Sequence, residues 1–398
     1  MPVTSQFPRG RSSIVCPGGP SVAQGPLCAS LLGMANLRRA ERTLGLVTAL
    51  VAMLCSTAVS ASAAAPAPVS TPTAVATGAP VPSPGCKNPQ SPSLTNQRQD
   101  IEVDGAARWY LLTTPAPATP SPTAATRAAT KTAKTPTPRP LVVDIHGLAE
   151  GAVIHAQTSQ FGVLGQKVGF VVAFPNGTGS PVRWNASTRA TPNPDLDFLA
   201  ALLNQVEASQ CIDTSRVYAS GFSDGAFMVS TVACTMSSRF AAIGAVSGLQ
   251  LPTPCHTTRR VPILAFHGTA DPILYFNGGV GIGTLNQALG RGGSGGSSTT
   301  TTQPAKLHGP GYPATVQAWA VKDGCNPRST DTRVASQIIL RAYRCPRGTA
   351  VKFFIILGGG HAWPGSKFSQ SISSITGFTT LQIKATNQMW AFFRQFRL

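Results

Sequence analysis

Acidic residues are scarce in this chain, and charged residues as a whole are few. Of its 398 residues, 14 are Asp or Glu and 32 are Lys or Arg, so the net charge is +18. The basic residues are scattered, and no nucleic-acid-binding module is recognisable. We therefore expect no nucleic-acid partner. Attraction to anionic cell walls or acidic polysaccharides fits the positive charge better.

Apolar runs long enough for a stable membrane span are also absent. The best candidate, 44–59, is short and passes into Ala, Ser and Pro. A basic segment precedes it and Ala61-Ser62-Ala63 follows, so the sequence predicts a cleaved secretory signal peptide over residues 34–63. Residues 1–33 would then be an upstream extension. We expect a secreted, extracellular protein that is a monomer. A lipid anchor is not expected, because Cys55 lacks the preceding small residue of a lipoprotein signal.

The cysteines include no C-x-x-C pair, so the sequence predicts no zinc or other metal site, and we expect no cofactor. Six of the nine cysteines lie beyond the predicted cleavage point. An even number in an exported chain predicts disulfides, whose pairing the spacing leaves open. We single out Cys325–Cys345, because both residues flank neighbouring predicted elements. The other four are Cys86, Cys211, Cys234 and Cys255.

Three low-complexity segments mark the organisation of the chain. Residues 64–85 are rich in Pro, Ala and Thr, a composition that cannot bury a core and predicts a disordered linker. Two further tracts, 115–138 and 290–302, are expected to be inserts within a globular region. The sequence thus predicts one domain over residues 86–398.

Apolar, strand-like runs alternate with amphipathic, helix-like segments through this domain. The alternation predicts an α/β domain with a mostly parallel central sheet and helices on both faces. Ligands of such sheets bind beyond the carboxyl ends of the strands. The predicted strands are 141–145, 170–174, 217–219, 241–246, 263–266 and 351–357, and the predicted helices are 196–208, 226–236, 314–322 and 381–396.

The segment Gly221-Phe222-Ser223-Asp224-Gly225 has the pattern G-x-S-x-G between a predicted strand and a predicted helix. This context is typical of a nucleophile elbow, in which the glycines allow a sharp turn. Ser223 would then stand at the carboxyl edge of the sheet. A serine in a Gly-rich segment is usually only a turn residue, so the interpretation depends on the residues that accompany it.

Two further residues could complete a catalytic set with Ser223. A serine nucleophile needs a base and an acid that orients the base, in the order Ser, Asp or Glu, His for elbow-type hydrolases. Asp271 lies in a loop after one predicted strand, and His361 follows another strand and three glycines. We therefore predict a Ser223–His361–Asp271 triad. The oxyanion would be bound by the N–H groups of Leu148, in another strand-end loop, and Asp224.

The other five histidines are not expected to take part in catalysis. His155, His256 and His308 are expected at the surface or in loops. His146 and His267 are expected to brace loops through hydrogen bonds.

Three aromatic residues are candidates for substrate binding, namely Trp184, Trp363 and Tyr275. For the two tryptophans, core packing is an equal alternative to stacking on a substrate. Asp195 and Asp197 lie near a predicted helix start and are expected to be caps.

These motifs together resemble secreted esterases of the polyhydroxybutyrate-depolymerase/feruloyl-esterase type, in carbohydrate esterase family 1. The resemblance covers residues 86–398 without the inserts, and it implies the α/β-hydrolase fold. It also places the nucleophile, acid and base on Ser223, Asp271 and His361. The segments that carry it are His146-Gly147, Trp184-Asn185, the GFSDG elbow, HGTAD at 267–271 and GGHAWPG at 359–365.

The site residues and the resemblance predict a secreted serine carboxylic-ester hydrolase that forms an acyl-enzyme. The expected substrates are feruloyl or acetyl esters of plant cell-wall polysaccharides. One alternative is a polyhydroxybutyrate or other polyhydroxyalkanoate depolymerase, or a general short-chain esterase. An alternative of another class is a non-catalytic, wall-binding protein on the same fold, which the basic charge would suit. The complete set of triad residues argues against that last alternative.

Overall fold

The computed structural model describes residues 77–88, 92–116, 136–290 and 304–398. The predicted signal peptide, the upstream extension and most of the two predicted inserts lie outside these residues. The strands are β1 (Gln97–Val103), β2 (Ala106–Thr113), β3 (Arg139–Ile145), β4 (Val171–Pro175), β5 (Ile212–Phe222), β6 (Ala242–Val246), β7 (Ile263–Gly268), β8 (Ser329–Ala335), β9 (Ile338–Tyr343) and β10 (Val351–Ile356).

The helices alternate with the strands along the chain. They are α1 (Gly151–Ser159), α2 (Phe161–Val168), α3 (Pro194–Ser209), α4 (Asp224–Thr235), α5 (Ile282–Ala288), α6 (Tyr312–Lys322), α7 (Lys367–Ser371), α8 (Ser373–Thr376) and α9 (Ala385–Phe393). None of the helices in the described segments is both long enough and apolar enough to cross a membrane.

The strands form one sheet in the order β1-β2-β4-β3-β5-β6-β7-β10-β9-β8. The six central strands, β4 to β10 in this order, pair in parallel. β1 and β2 at one edge, and β9 and β8 at the other, pair antiparallel. Since the parallel strands all run the same way, the loops after β3, β5, β7 and β10 leave from one edge. The architecture is the α/β-hydrolase fold.

Helices cover both faces of this sheet, as the alternating pattern predicts. β4, β6 and β7 are buried at every position, because each has a helical layer on either side. One apolar cluster includes Phe198 of α3, Val229 of α4 and Trp319 of α6. The other includes Phe161 of α2 and Met389 of α9. The sheet therefore has two apolar cores, one on each face.

The predicted parallel strands are confirmed, and some edge elements were missed. β1 and β8 are mostly exposed and carry no apolar run, so the sequence does not mark them as strands. α1 and α2 are separated by Gln160, which has a left-handed φ of 56°, and they contain several glycines. The last helix begins at Ala385, later than the predicted 381–396 segment.

The domain begins before residue 86, so the predicted linker 64–85 is wrong at its end. The N–H of Val81 donates to Oδ1 of Asp213 at 2.9 Å. The hydroxyl of Ser83 donates to the carbonyl oxygen of Gln210 at 2.8 Å. Residues 81–83 thus pack against the start of β5.

Three disulfides join the six cysteines of the domain. The predicted Cys325–Cys345 pair is present and connects the end of α6 to the end of β9. The other two pairs are Cys86–Cys211 and Cys234–Cys255. Within the described part of the chain, no group of three or more His, Cys, Asp and Glu side chains is arranged to hold a metal ion.

Candidate active site

Ser223 lies in the sharp turn between β5 and α4. Its φ of 55° and ψ of −114° are strained for a residue other than glycine. The flanking glycines make the turn possible. A β-carbon on Gly221 would lie 2.3 Å from the carbonyl oxygen of Gly225, and one on Gly225 would lie 2.2 Å from that of Ile145. The turn has the geometry of a nucleophile elbow and leaves Ser223 partly exposed.

Asp271 and His361 meet across the loops that follow β7 and β10. Oδ2 of Asp271 lies 2.9 Å from Nδ1 of His361. Oδ1 of Asp271 accepts the N–H groups of Ile273 at 2.9 Å and Leu274 at 2.8 Å. Every carboxylate oxygen of this buried aspartate therefore has a donor, so its side chain has one defined orientation.

The histidine loop lies against the serine turn. The ring centroids of His361 and Phe222, the residue before Ser223, are 5.0 Å apart. The Ser247 hydroxyl donates to the carbonyl oxygen of Ala362 at 3.4 Å, and the Ser223 N–H donates to the carbonyl oxygen of Val246 at 2.9 Å. The structure thus brings the predicted nucleophile, base and acid to one edge of the sheet.

The two predicted oxyanion donors border the same turn. Asp224 is the first residue of α4, so its N–H has no partner within the helix. The N–H of Leu148 likewise donates no hydrogen bond to any group among the described residues. A β-carbon on Gly147 would lie 3.3 Å from Cβ of Ser223, so the loop after β3 touches the serine turn closely. Two N–H groups without a partner among the described residues therefore flank Ser223.

The Asp224 side chain connects this turn to Trp184. Its Oδ2 accepts the backbone N–H of Trp184 at 2.8 Å. Burial raises the pKa of Asp224 to about 6, against the lowering effect of that hydrogen bond. The indole Nε1 of Trp184 donates to the carbonyl oxygen of His146 at 2.9 Å. Trp184 is 5% exposed, so it braces the loop after β3, and the predicted substrate contact is not available to it.

Trp363 also belongs to the core, so of its two predicted roles the structure favours core packing over a substrate contact. It is 1% exposed, and its Nε1 donates to the Thr386 hydroxyl at 3.0 Å. Its ring packs edge-on against Phe161 and His155 beneath the histidine loop. Tyr275 is half-buried in the turn after Asp271 and stays a candidate for substrate binding.

His155 is completely buried, so its expected place at the surface is wrong. Its Nδ1 lies 3.1 Å from Oε2 of Glu150, and its Nε2 lies 3.1 Å from Oδ1 of Asp144. His155 Nε2 and Asp144 Oδ1 are within ion-pair distance, but their alignment is too poor for a hydrogen bond. Burial lowers the pKa of His155, but the two carboxylates outweigh it and raise this pKa to about 10. The one available sequence signal was Asp144, a charged residue inside an apolar strand. His256 and His308 are exposed, as expected.

His146 and His267 brace loops through hydrogen bonds, as predicted. Nδ1 of His146 lies 2.7 Å from the carbonyl oxygen of Gly147, and its Nε2 accepts the N–H of Gly177 at 2.8 Å. Nε2 of His267 lies 2.8 Å from the carbonyl oxygen of Leu274. Burial lowers the pKa of both histidines to about 4, so both are neutral.

The expected capping role of Asp195 is wrong. Asn193 caps α3, because its side chain accepts the N–H groups of Asp195 and Leu196. Asp195 is buried and pairs with Arg108 at 2.8 Å, and its other oxygen accepts the N–H of Asn185 at 2.7 Å. Buried carboxylates need such partners, and this pair anchors the loop that carries Trp184.

The chain is similar to known esterases over part of its length. Residues 132–285 match the family described as Esterase PHB depolymerase. NocK of Nocardia uniformis subsp. tsuyamanensis, described as an esterase, is 27% identical over 274 residues, which are 63% of this chain and 73% of that protein. Feruloyl esterase B of Piromyces equi is 27% identical over 231 residues, 56% of this chain. The chain spans only 39% of the length of that second relative.

A solved structure, the acetyl xylan esterase from Aspergillus awamori, aligns over 71% of this chain and 99% of its own. It has 14% sequence identity and a TM-score of 0.45. The family match over residues 132–285 covers the elbow and the acid loop, with Ser223 and Asp271. Residues 132–285 thus match the Esterase PHB depolymerase family within an α/β-hydrolase fold, and these likenesses support a carboxylic ester hydrolase.

Proposed function

We propose that the protein is an exported serine esterase that works through an acyl-enzyme. His361 accepts the hydroxyl proton of Ser223 as the serine oxygen attacks the ester carbonyl carbon, and Asp271 stabilises the imidazolium that forms. The N–H groups of Leu148 and Asp224 bind the developing oxyanion. The alcohol leaves with the proton from His361. Water then attacks the acyl carbon while His361 takes its proton, the bond to the Ser223 oxygen breaks, the carboxylic acid leaves, and His361 returns the proton to Ser223.

The observation that carries this proposal is the contact between Asp271 and His361 beside the strained serine turn. The Asp271 carboxylate occupies Nδ1 of His361 at 2.9 Å, which leaves Nε2 as the nitrogen available to a hydroxyl. The backbone of Ser223 is strained, and the turn around it leaves no room for a β-carbon on either flanking glycine. Strain of this kind is costly and is typical of catalytic turns.

The proposed substrates are feruloyl-type or acetyl esters on plant polysaccharides. A named feruloyl esterase is among the relatives, and an exposed apolar side chain adjoins the histidine loop. Phe378 is 46% exposed, and its carbonyl oxygen accepts the N–H of Gly360, next to His361. An aromatic acyl group could pack there. Polyhydroxybutyrate hydrolysis is the second candidate, because the matching family bears that name.

Export to the extracellular space is part of the proposal. The three disulfides of the domain support it, since disulfides persist in oxidising compartments. The positive charge would favour acidic polymers outside the cell.

A fluorophosphonate probe tests the enzymatic proposal directly. We expect it to label the wild type and not Ser223→Ala. Ser187→Ala, which removes a serine from an exposed loop, is the control and should label like the wild type. A folded wild type that the probe does not label would favour the non-catalytic, wall-binding alternative.

Substrate choice is tested by comparing methyl ferulate, 4-nitrophenyl acetate and hydroxybutyrate oligomers at equal enzyme concentration. We expect the highest kcat/KM for methyl ferulate. A higher value for the hydroxybutyrate oligomers would support the depolymerase candidate. Phe378→Ala should lower kcat/KM for methyl ferulate more than for the acetyl ester, because only the larger acyl group would reach its ring.

A further inference from the structure

The peptide between Gly147 and Leu148 is held from one side by His146. The carbonyl oxygen of Gly147 can only accept a hydrogen bond, so the Nδ1 atom 2.7 Å away carries the proton of His146. Nε2 is then the acceptor, which agrees with the N–H of Gly177 at 2.8 Å. In a trans peptide the C=O and the following N–H point in opposite directions. Holding this carbonyl therefore also fixes the direction of the Leu148 N–H.

Glu150 holds the same loop from its other end. Its Oε2 accepts the N–H of Gly147 at 2.8 Å, and its backbone N–H donates to the carbonyl oxygen of Gly147 at 3.2 Å. Its Oε1 accepts the hydroxyl of Thr158 at 2.6 Å. The Glu150 side chain is 10% exposed, so water competes little with these contacts. One carboxylate thus fixes the peptide that leads into the Leu148 N–H.

The Glu150 carboxylate is itself held by a buried cation. Both ring nitrogens of His155 face carboxylates, Glu150 on Nδ1 and Asp144 on Nε2, each at 3.1 Å. Nδ1 of His155 forms a hydrogen bond with the Glu150 carboxylate, and the Asp144 carboxylate near Nε2 favours the charged ring, so we regard His155 as an imidazolium. Burial raises the pKa of Glu150, but His155 and the donors of Thr158 and Gly147 outweigh it and keep this pKa below its usual value. Ser220 in β5 donates to Asp144, which ties the cluster to the strand of the elbow.

We propose that Glu150, fixed by the imidazolium of His155, is a positioning residue that aims the Leu148 N–H at the oxyanion. The inference rests on the proposed function, because it assigns a task to the oxyanion hole of the same site. Glu150 does not contact the substrate. Its carboxylate acts through Gly147, because it holds the N–H of this residue directly before the Gly147–Leu148 peptide. This action depends on the reach of the side chain more than on its charge.

Two substitutions of Glu150 distinguish the effect of its side-chain length from the effect of its charge. Glu150→Asp keeps the charge beside His155 but withdraws the carboxylate from the Gly147 N–H by one methylene. Glu150→Gln keeps the reach, because its amide oxygen can accept from Gly147 and His155 while its NH2 donates to Thr158. We expect kcat for 4-nitrophenyl acetate to fall about 10- to 100-fold in Glu150→Asp, since one oxyanion donor is worth about 10²–10³ in kcat. In Glu150→Gln it should fall less than about fivefold, and KM should change little in either variant.

A tetrahedral-adduct inhibitor reports on the oxyanion hole itself. A trifluoromethyl ketone forms an adduct with a serine nucleophile that carries an oxyanion. Its inhibition constant should weaken in Glu150→Asp by about the same factor as kcat falls, because both depend on the same N–H group. A merely structural role would leave the two quantities unrelated. Glu207→Gln is the control and should match the wild type. It removes a carboxylate of α3 that pairs with Arg239.

The outcomes distinguish this inference from the proposed function. If the wild type is not labelled by a fluorophosphonate, the proposed function fails and the inference fails with it. If the wild type is labelled, but Glu150→Asp keeps wild-type kcat and inhibitor affinity, only the inference is overturned. It is overturned as well if Glu150→Gln loses as much kcat as Glu150→Asp. Thermal unfolding of each variant establishes that the folded protein is compared.

Discussion

His361 and His155 each contact an aspartate at a similar distance, 2.9 Å to Asp271 and 3.1 Å to Asp144. They differ in what faces the second ring nitrogen. In His155 it faces Glu150, also at 3.1 Å, and the ring is entirely buried. In His361 no second carboxylate lies within ion-pair distance among the described residues, and its ring touches the serine turn. One imidazole thus has a ring nitrogen that no carboxylate of the described residues faces, and the other lies between two carboxylates.

His267 shows that one carboxylate does not suffice to hold a buried imidazolium. Its Nε2 lies 3.3 Å from Oδ2 of Asp271, which by distance alone is an ion pair. The same nitrogen lies closer to the carbonyl oxygen of Leu274, and burial lowers the pKa of His267 to about 4. We therefore regard this histidine as neutral. A second carboxylate, as at His155, is what outweighs the loss of hydration.

The largest expected effect concerns His361, the proposed catalytic base. Asp271→Asn keeps the shape of the acid but can no longer stabilise the imidazolium of His361. We expect kcat to fall by about 10⁴ with little change in thermal unfolding, as for other triads that lose this charge. Asp197→Asn, on the first turn of α3, is the matched control. A loss of less than tenfold for Asp271→Asn would mean that His361 does not depend on this partner.

The second largest effect is expected for His155, the histidine that lies between two buried carboxylates. His155→Gln leaves the carboxylates of Asp144 and Glu150 buried without a cation, so we expect the free energy of unfolding to fall by about 3–5 kcal/mol. His308→Gln removes the histidine of a surface pair with Asp331 and should cost less than about 0.5 kcal/mol. Urea denaturation of both variants measures the difference. Equal losses would show that His155 is not a buried cation.

The sequence could predict the serine turn and its partners because their signals are local. Gly221 is required by a contact within the turn, Gly225 by the close approach of the end of β3, and Gly268 by the place where its loop meets Gly359. Such glycines follow directly after apolar strands, so the strand ends can be found without knowing the fold. The parallel order of strands then brings these ends to one edge.

The cluster around His155 could not be predicted in the same way. Its three charged residues come from β3, a loop and α1, and a glycine begins that helix where the pattern gives no helical signal. The burial of Trp184 and Trp363 also depends on packing between segments far apart in the chain. Aromatic residues beside motif residues look alike in sequence whether they line a cleft or fill a core.

A smaller effect is expected for Asp224, a carboxylate that, unlike Glu150, has no histidine beside it. Burial raises the pKa of Asp224 to about 6, whereas His155 keeps the pKa of Glu150 low. Between pH 4 and 6 native Asp224 holds a proton that the unfolded chain has lost, so stability falls as pH rises through this range. Asp224→Asn should remove this fall, on the order of 1–2 kcal/mol. Thermal unfolding at pH 4 and pH 7 measures it, and an unchanged fall would contradict the raised pKa.

The smallest effect concerns Thr158, the third partner of the Glu150 carboxylate. Thr158→Val keeps the shape of the side chain and removes the hydroxyl that donates to Oε1 at 2.6 Å. We expect a loss of about 1 kcal/mol in the free energy of unfolding, with kcat within about threefold of the wild type. The imidazolium of His155 remains and still holds Oε2, the oxygen that accepts the Gly147 N–H. A fall in kcat as large as that of Glu150→Asp would assign the positioning of Glu150 to Thr158 instead of His155.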